Sequence, residues 1–568
     1  MCINSVIADL VIKNGKVATV DRDFSFCEAV AVKDGWIIDV GSDESLSVRI
    51  GPDTTVIDLE GKVLLPAAND AHIHATLTGC MLGPDFVDVG PSTGITSVND
   101  LQNILMTAVQ RAKPGQWIFG SGFIERLLKE NADSGKRLSR WDLDPVSPDT
   151  PVILHDFGLH TMLVNSKALE LAGIDRNFRE LRPEEGILER DPGTGEPNGR
   201  FKEWPAHDLI ARHCPVVSEQ EIEECILRVQ RALNGQGITS HTDIVGPGLE
   251  NVFIGVARER AVHVYERMFR EGKLSARVSL SINPCVDGIE SFSSVTDALD
   301  RMDLPAFSDK NWVKADTVKL FGDRDVWLRP SENRTGSSGR SVFPGQTEEE
   351  QADEITRTIV ELHRSGWQIC IHAIGGRTID VAVDAFAKAQ ETYPRKAPRH
   401  FIIHADDMTL ENSAKMSKYH IGCSPQPIAA NILAAVNAPL MSVGEELFNW
   451  QAYIDDGVVV AGGSDAPCFS FNWRKGVQFA VTRVTANGVS VRPDLAMKLE
   501  DAIRMYTIEG ARQENMEGVR GSIETNKVAD FQVLGRNIFD CPKSEIGEIP
   551  VIMTICAGKT VFDANNSK

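Results

Sequence analysis

Two histidines one residue apart, His72 and His74, follow an apolar stretch that is typical of a β-strand. On a strand, residues i and i+2 point to the same side, so both imidazole rings can reach one metal ion. Three further side chains that can bind a metal, His372, His404 and Asp465, also follow apolar stretches. Neutral imidazoles and carboxylates are common ligands of zinc and similar ions. The pattern therefore indicates a metal-dependent hydrolase.

The expected chemistry is hydrolysis by a hydroxide held at one or two divalent ions, with zinc as the expected metal. A bound ion lowers the pKa of its water toward about 7 and can polarise a substrate carbonyl. We assign to Asp465 the catalytic role of taking the proton of the attacking hydroxide and passing it to the leaving group. No nucleotide cofactor is expected, because Gly120-Ser121-Gly122 lacks the third glycine of a dinucleotide-binding motif.

Lys319 is an unusual candidate, because it lies in an apolar strand and a lysine is normally a cation at neutral pH. Burial depresses the pKa of a lysine, and the neutral amine can then react with carbon dioxide. The product, N6-carboxylysine, is an anionic carbamate that could bridge two metal ions. The alternative is a lysine at a strand edge that packs its aliphatic stem and keeps its ammonium group in water.

The elements that must position these residues alternate between strand and helix through the middle of the chain. Thr347 and Glu350, for example, have capping-box spacing ahead of a long helix. Eight strands with interleaved helices favour an α/β fold of the (β/α)8 TIM-barrel type, in which the C-terminal ends of the strands form the active-site face. The candidate strands are 63–72, 237–243, 276–282, 316–321, 368–373, 400–405, 420–424 and 457–464.

The two ends of the chain differ from the middle. Short alternating runs separated by turn pairs such as Asn14-Gly15 predict hairpins near the N-terminus, and similar runs return near the C-terminus. We therefore predict a small composite β-sandwich domain from residues 1–62 and 515–568, with the barrel over 63–514. The stretch of about 75–235 is too long for one crossover, so we interpret it as an insertion over the catalytic face of the barrel.

Composition restricts the partners and the compartment. The chain has 568 residues, enough for a large core, and a formal net charge of −21 without a block of like charge, which argues against nucleic acid as a partner. Its eleven cysteines are scattered without a CxxC pair, which argues for a reducing compartment. No long uncharged apolar run predicts membrane insertion, so a cytoplasmic location is expected. The expected partners are a small-molecule substrate and a second copy of the chain in a homodimer.

The order HxH, Lys, His, His and Asp on strands one, four, five, six and eight resembles the amidohydrolase superfamily. The flanking sequence is similar to its family-3 branch, the YtcJ-like proteins, which include N-substituted formamide deformylases. The resemblance implies a metal-bound barrel, a composite β domain, a carboxylated Lys319 and hydrolysis of a C–N bond in an amide, formamide or cyclic amide. It covers nearly the whole chain, in the runs 61–66, 165–169, 237–240, 372–375, 424–427, 463–467 and 527–531.

The candidate site residues fall into two groups. The predicted metal ligands are His72, His74, Lys319, His372, His404 and Asp465. The resemblance adds His160, Glu203 and Gln426 as candidates for substrate binding. For His160 a structural hydrogen bond is the alternative, and for Glu203 a solvated loop carboxylate. Asp70 is expected to orient a ligand histidine, as metal-bound imidazoles generally require.

Two other functions stay open. Several neighbours of the ligands differ from the family pattern: Ile403 stands where a glutamate is usual, and Gly376 where an aspartate is usual. Such changes fit a non-catalytic relative that keeps the barrel for binding or assembly, although none of the proposed ligands is missing. Hydrolysis of a C–O or C–halogen bond at the same centre is the other alternative, because a fold does not determine its substrate.

Overall fold

The computed structural model describes residues 6–90, 93–182, 185–246, 260–284, 290–323, 343–345, 347–432 and 448–566. Across these residues, a central sheet of seven parallel strands follows the chain order of the predicted barrel. Its strands are β1 (Ala68–Ile73), β2 (Ile238–Val245), β3 (Arg277–Ile282), β4 (Val313–Phe321), β5 (Gln368–Ala373), β6 (Phe401–His404) and β7 (Gly422–Ser424). Each strand pairs in parallel with the next, which confirms a TIM-like barrel.

The predicted eighth strand, 457–464, is an irregular segment, 458–465, which we call the closing segment because it completes the barrel. Its regular pairing is limited to a parallel bridge between Val460 and Cys423 of β7. Main-chain hydrogen bonds still join the segment to both neighbours: Cys423 N donates to Val459 O at 2.8 Å, and Ala71 N of β1 donates to Gly462 O at 3.1 Å. A Cβ atom on Gly463 would lie 2.7 Å from the main-chain nitrogen of His72, so glycine permits this close approach.

Helices cover the outside of the barrel. The predicted capping box is confirmed: Thr347 Oγ1 accepts from Glu350 N at 3.2 Å, and Glu350 Oε2 accepts from Thr347 N at 3.3 Å. Apolar side chains of strands and helices, such as Leu320, Ile371 and Phe386, share the largest core cluster. The described helices around the barrel are Ala75–Met81, Glu219–Asn234, Arg260–Arg270, Phe292–Arg301, Glu348–Arg364, Gly376–Thr392, Leu410–Tyr419, Trp450–Asp455, Trp473–Thr482, Leu499–Met505 and Ile508–Gln513.

Strands from both termini form a β-sandwich. One sheet contains Trp36–Gly41, Ala29–Lys33, Leu10–Lys13 and Thr55–Asp58. The other contains Lys559–Asp563, Val551–Cys556, Phe531–Leu534, Val63–Pro66, Lys16–Ala18 and Phe26–Cys27. Residues of both sheets, including Ile12, Val30 and Phe531, share one apolar core, so the predicted composite domain has a common interior.

The predicted first barrel strand, 63–72, is split between the two domains. Its first part, Val63–Pro66, pairs with Phe531–Leu534 of the sandwich, and its second part is β1 of the barrel. The change of partner takes one residue: Ala67 N donates to Asp530 O at 3.0 Å, and Ala68 N donates to Gly237 O at 2.8 Å. Pro66 has no N–H to donate to a sheet, which is consistent with a change of partner at this point.

The segment interpreted as an insertion folds around its own six-stranded sheet. In spatial order the strands are Ile187–Arg190, Pro197–Lys202, Thr161–Val164, Val152–Asp156, Ile118–Phe123 and Phe86–Asp88. Its described helices are Val98–Arg111, Lys129–Ser134, Arg140–Leu143, Ser166–Ala172 and Trp204–Ala211. Thr161 pairs with Lys202 in antiparallel register. His160, which precedes Thr161, and Glu203, which follows Lys202, therefore lie side by side at one end of these two strands. Within the described residues, no helix has the length and apolar character needed to span a bilayer.

Candidate metal centre

His72, His74 and Asp465 meet at the C-terminal end of β1. The Nε2 atoms of His72 and His74 lie 3.0 and 3.4 Å from Oδ1 of Asp465. Main-chain hydrogen bonds join the closing segment to the end of β1 at this point. The amides of Ser464 and Asp465 donate to His72 O at 3.1 and 2.8 Å. In return, His74 N donates to Ala466 O at 2.9 Å. Main-chain pairing therefore sets the positions of all three side chains.

His372 at the end of β5 and His404 at the end of β6 lie against each other. His404 Nε2 is 2.9 Å from His372 Nδ1, and the ring centroids of His404 and His72 are 5.7 Å apart. On its other side, His404 Nδ1 lies 2.6 Å from Oε1 of Gln426, whose Nε2 donates to Ser424 O at 2.6 Å. An amide oxygen only accepts hydrogen bonds, so His404 Nδ1 carries the proton and the lone pair on Nε2 faces the cluster.

The structure thus places Gln426 behind a candidate ligand, where it fixes the tautomer of His404. Its predicted contact with substrate stays a prediction. Asp70 also differs from the expectation: its carboxylate accepts main-chain hydrogen bonds from Ser464 at 2.9 Å and His72 at 3.4 Å, and not from an imidazole ring. Asp70 therefore holds the closing segment beside β1.

Two of the cluster residues adopt backbone conformations that are rare for residues other than glycine. His404 has φ 71° and Asp465 has φ 56°, both in the left-handed region. Each such residue costs about 1–3 kcal/mol, and residues of this kind concentrate at functional sites. Asp465 N donates a hydrogen bond to His72 O at 2.8 Å, and Ala405 N, next to His404, donates one to Ala373 O of β5 at 3.1 Å.

Lys319 lies on β4 inside the barrel and is 1% exposed. Its Nζ is 4.4 Å from the centre of the Phe321 ring, and Phe321 lies opposite His372 in the register of β4 and β5. Burial lowers the pKa of Lys319 to about 8, so its amine loses its proton more readily than that of an ordinary lysine. The edge-lysine alternative does not fit so buried a side chain.

The imidazole rings of His72, His372 and His404 are neutral at physiological pH. Burial is the main cause that lowers the pKa of His72 to about 3 and that of His404 to about 4, and the charge of Lys319 contributes to both shifts. Burial likewise lowers the pKa of His372 well below its ordinary value. For Asp465 burial acts in the opposite direction, but hydrogen bonds with His72 and His74 prevail and lower the pKa well below its usual range. Neutral rings and an ionised carboxylate are the forms that bind metal ions.

The cluster fits a divalent ion. Single ligand atoms of His72, His404 and Asp465 all lie within 4.8 Å of one another. Nitrogen and carboxylate oxygen donors of this kind suit zinc and related ions. His74, His372 and Lys319 surround the same three residues, so the structure brings together all six side chains that the sequence predicted as ligands.

Asp323 is a candidate functional residue that the sequence analysis did not select. Its Oδ1 lies 3.3 Å from Nε2 of His372, and its Oδ2 accepts a hydrogen bond from Gly375 N at 2.9 Å. A carboxylate behind a metal-binding imidazole fixes the ring orientation and raises its basicity. The signal in the sequence was position: Asp323 is the fourth residue after Lys319, just beyond the C-terminal end of β4.

We predict that Asp323→Ala weakens the binding of zinc by about 10- to 100-fold, because His372 loses the group that orients it. Asp323→Asn keeps an acceptor oxygen and should lose less. Competition with a coloured chelator measures the affinity, and thermal unfolding of the metal-free variants reports any general structural damage. Zinc affinity equal to that of the wild type in the alanine variant would exclude this role.

The insertion reaches the cluster through His160 and Glu203. His160 Nδ1 is 3.3 Å from Glu203 Oε2, and Glu203 has φ 68° where the helix Trp204–Ala211 begins. The His160 ring stacks on Trp204 at 5.6 Å between centroids, and Trp204 packs edge-on against Phe321 at 4.4 Å. The observed partners of Glu203 show that it is more than a solvated loop acid, and the contact of Trp204 with Phe321 brings both residues close to the end of β4.

Comparison with known proteins agrees with this geometry. Residues 55–562 match the sequence profile described as Amidohydrolase family. The chain is 27% identical to N-substituted formamide deformylase of Arthrobacter pascens, over 98% of this chain and 99% of that protein. It is 27% identical to the putative amidohydrolase YtcJ of Bacillus subtilis (strain 168), over 97% of this chain and 98% of that protein.

Solved structures share the fold. A crystal structure of an uncharacterized metal-dependent hydrolase from Pyrococcus horikoshii OT3 superposes with a TM-score of 0.69 at 22% identity, covering 94% of this chain and 99% of that one. A second, from Pyrococcus furiosus, has a TM-score of 0.67 at 22% identity, covering 93% and 99%. The family match over most of the chain, supported by these relatives, shows that the protein belongs to the amidohydrolase family, in its family-3 branch.

Proposed function

We propose that this protein is a metal-dependent hydrolase that cleaves a C–N bond in an amide, formamide or cyclic amide. The observation that carries the proposal is the convergence of neutral imidazoles, the ionised Asp465 and the buried Lys319 at the C-terminal face of the barrel. The name of a full-length relative, N-substituted formamide deformylase, supports the C–N bond as the target.

We propose zinc as the ion, held by His72, His74, Lys319, His372, His404 and Asp465. When bound, the ion would lower the pKa of a water molecule and polarise the substrate carbonyl. Lys319 would contribute as N6-carboxylysine, whose carbamate oxygens suit a centre with two ions. The lowered pKa of its amine supports this assignment, because only the neutral amine reacts with carbon dioxide.

The proposed roles of the chain's own residues follow from their positions. Asp465 is ionised and touches two ligand imidazoles, so it can accept a proton from the attacking water and deliver it to the leaving nitrogen. Gln426 forms a hydrogen bond with the ring of His404, and the carboxylate of Asp323 lies 3.3 Å from the ring of His372, where we propose that it orients the ring. His160 and Glu203 lie on the insertion side of the centre, where we propose that they contact the substrate.

The compartment and the assembly stay predictions of the sequence. Within the described residues the nine cysteines form no disulfide bond, which supports the proposed reducing, cytoplasmic compartment. A homodimer is proposed from the frequency of twofold assemblies.

Removal and return of the metal test the proposed function. We expect protein purified without chelator to hydrolyse at least one member of a panel of formamides, acyl amino acids and cyclic amides. Extraction of the metal should abolish this activity, and zinc with bicarbonate should restore it, because neither water activation nor carbonyl polarisation is available without the ion. Esters and haloalkanes in the same panel test the alternative bonds.

The outcomes separate the candidate functions. Turnover of esters or haloalkanes but of no amide would replace the C–N bond by the C–O or C–halogen alternative. Metal binding without turnover of any compound would favour the non-catalytic relative. Activity that survives complete metal removal would contradict the proposed centre itself.

A further inference from the structure

A cavity of about 480 Å³ lies beside the candidate metal centre, between the insertion and the barrel. Its lining includes Ala466, the residue after Asp465, and Leu159, the residue before His160. The helix Ala75–Met81, which begins directly after His74, contributes Thr78 and Met81. Three segments that line the cavity thus continue directly into residues of the candidate site, and its volume lies in the range of small-molecule binding sites.

The lining is mainly apolar and aromatic. Phe86, Phe157, Phe469 and Phe471 contribute, and Phe157 and Phe469 pack edge to face with their ring centroids 5.6 Å apart. Asp88 supplies a carboxylate, which accepts a hydrogen bond from Gly90 N at 2.8 Å. Among the described residues that line the cavity, there is neither a lysine nor an arginine.

We propose that this cavity binds a bulky, uncharged, preferably aromatic substituent on the scissile nitrogen of the substrate. The inference rests on the proposed function and specifies its substrate class. We place the nitrogen side of the bond at the cavity because Ala466, which lines it, directly follows Asp465, the residue proposed to deliver the proton to the leaving nitrogen. The substituent on that nitrogen is therefore the part of the substrate directed into the cavity.

The charge of the described lining residues disfavours anionic substituents. A carboxylate that entered the cavity would lose hydration without meeting a lysine or an arginine among the described lining residues, and it would face the carboxylate of Asp88. An apolar ring would instead bury its surface against the phenylalanine side chains. The cavity therefore selects against N-acyl amino acids and for amides of apolar amines.

The test uses the zinc-loaded full chain and three amides that share one acyl group, with N-substituents 2-phenylethyl, methyl and 2-carboxyethyl. We expect kcat/KM for the 2-phenylethyl amide to exceed each of the others by about tenfold or more, since differences of this size arise from apolar contacts in a pocket. Binding of the same three compounds to the Asp465→Asn variant, measured by calorimetry, should rank them in the same order.

A charge introduced at the cavity provides a matched comparison. Leu82 lines the cavity and is 47% exposed, so Leu82→Arg adds a cation with little loss of packing. This variant should reduce the preference for the 2-phenylethyl over the 2-carboxyethyl compound by about tenfold, in binding and in turnover. Leu171, 45% exposed in the helix Ser166–Ala172 and outside the cavity lining, is the control, and Leu171→Arg should leave the preference unchanged.

The results distinguish failure of this inference from failure of the proposed function. If no amide is hydrolysed but the 2-phenylethyl compound binds best and Leu82→Arg weakens that preference, the cavity assignment stands and the proposed function fails. If amides are hydrolysed without regard to the substituent, or the 2-carboxyethyl amide is preferred, the cavity assignment is overturned. The same holds if Leu82→Arg and Leu171→Arg behave alike.

Discussion

Asp465→Asn is expected to lower kcat by about 10²- to 10⁴-fold while the protein keeps its metal. Asparagine has the shape of aspartate and can keep a contact with the imidazoles of His72 and His74, which lie 3.0 and 3.4 Å from Oδ1. It cannot take up a proton at neutral pH, so the route from water to the leaving nitrogen is lost. Elemental analysis and steady-state kinetics on the same preparation measure the two quantities together.

The control for Asp465→Asn is a change at Asp456, an aspartate that comes earlier in the chain. Asp456 precedes the closing segment and accepts a hydrogen bond from Ser413 Oγ at 2.7 Å, away from the candidate ligands. Asp456→Asn should keep both the metal and the activity. Near-normal kcat in Asp465→Asn would rule out the proton-transfer role, and loss of the metal would show that Asp465 acts chiefly as a ligand.

The six candidate ligands could be predicted because the patterns that indicate them, residue spacing and short apolar runs, can be recognised in short stretches of the sequence. The spacing of His72 and His74 places both rings on one side of a strand, and His372 and His404 end apolar runs of strand length. The C-terminal ends of barrel strands meet at one face, so the order of these residues along the chain was sufficient to predict that they converge.

The residues behind the ligands could not be predicted, because their roles depend on contacts between distant parts of the chain. Asp323 follows a strand, and that position alone does not distinguish it from an ordinary loop residue. Its role is indicated only by its distance to His372. The role of Gln426 follows from its contact with His404, 22 residues away. The volume and lining of the cavity combine segments of the barrel and the insertion, which local patterns in the sequence do not relate.

The two errors in strand boundaries have a physical cause as well. The run 63–72 is continuously apolar up to Pro66 and reads as one strand, but tertiary pairing divides it between the sandwich and the barrel. The segment 458–465 has strand-like residues at its start, yet Gly462 and Gly463 bring it so close to His72 and Tyr506 that it does not form a regular ladder. In both places tertiary contacts decide the structure over local preference.

Lys319→Met is expected to lower the metal content from about two ions per chain to one or fewer, and to reduce kcat/KM at least as strongly as Asp465→Asn. Methionine fills a similar volume beside Phe321 but cannot form a carbamate, so an anionic ligand is lost from the interior of the barrel. Elemental analysis gives the ion count, and ¹³C NMR of wild-type protein loaded with labelled bicarbonate should show a carbamate carbon that the variant lacks.

The matched control for Lys319→Met is Lys314, a second buried lysine on β4. Lys314 Nζ donates to Glu514 O at 2.6 Å and to Asp316 Oδ1 at 3.1 Å, so its amine is already engaged by protein oxygens. Lys314→Met should lower stability without changing the ion count or the carbamate signal. Two ions per chain in Lys319→Met, or no carbamate carbon in the wild type, would contradict carboxylation. A single ion in the wild type would keep the hydrolase with a mononuclear centre, in which Lys319 has no bridging role.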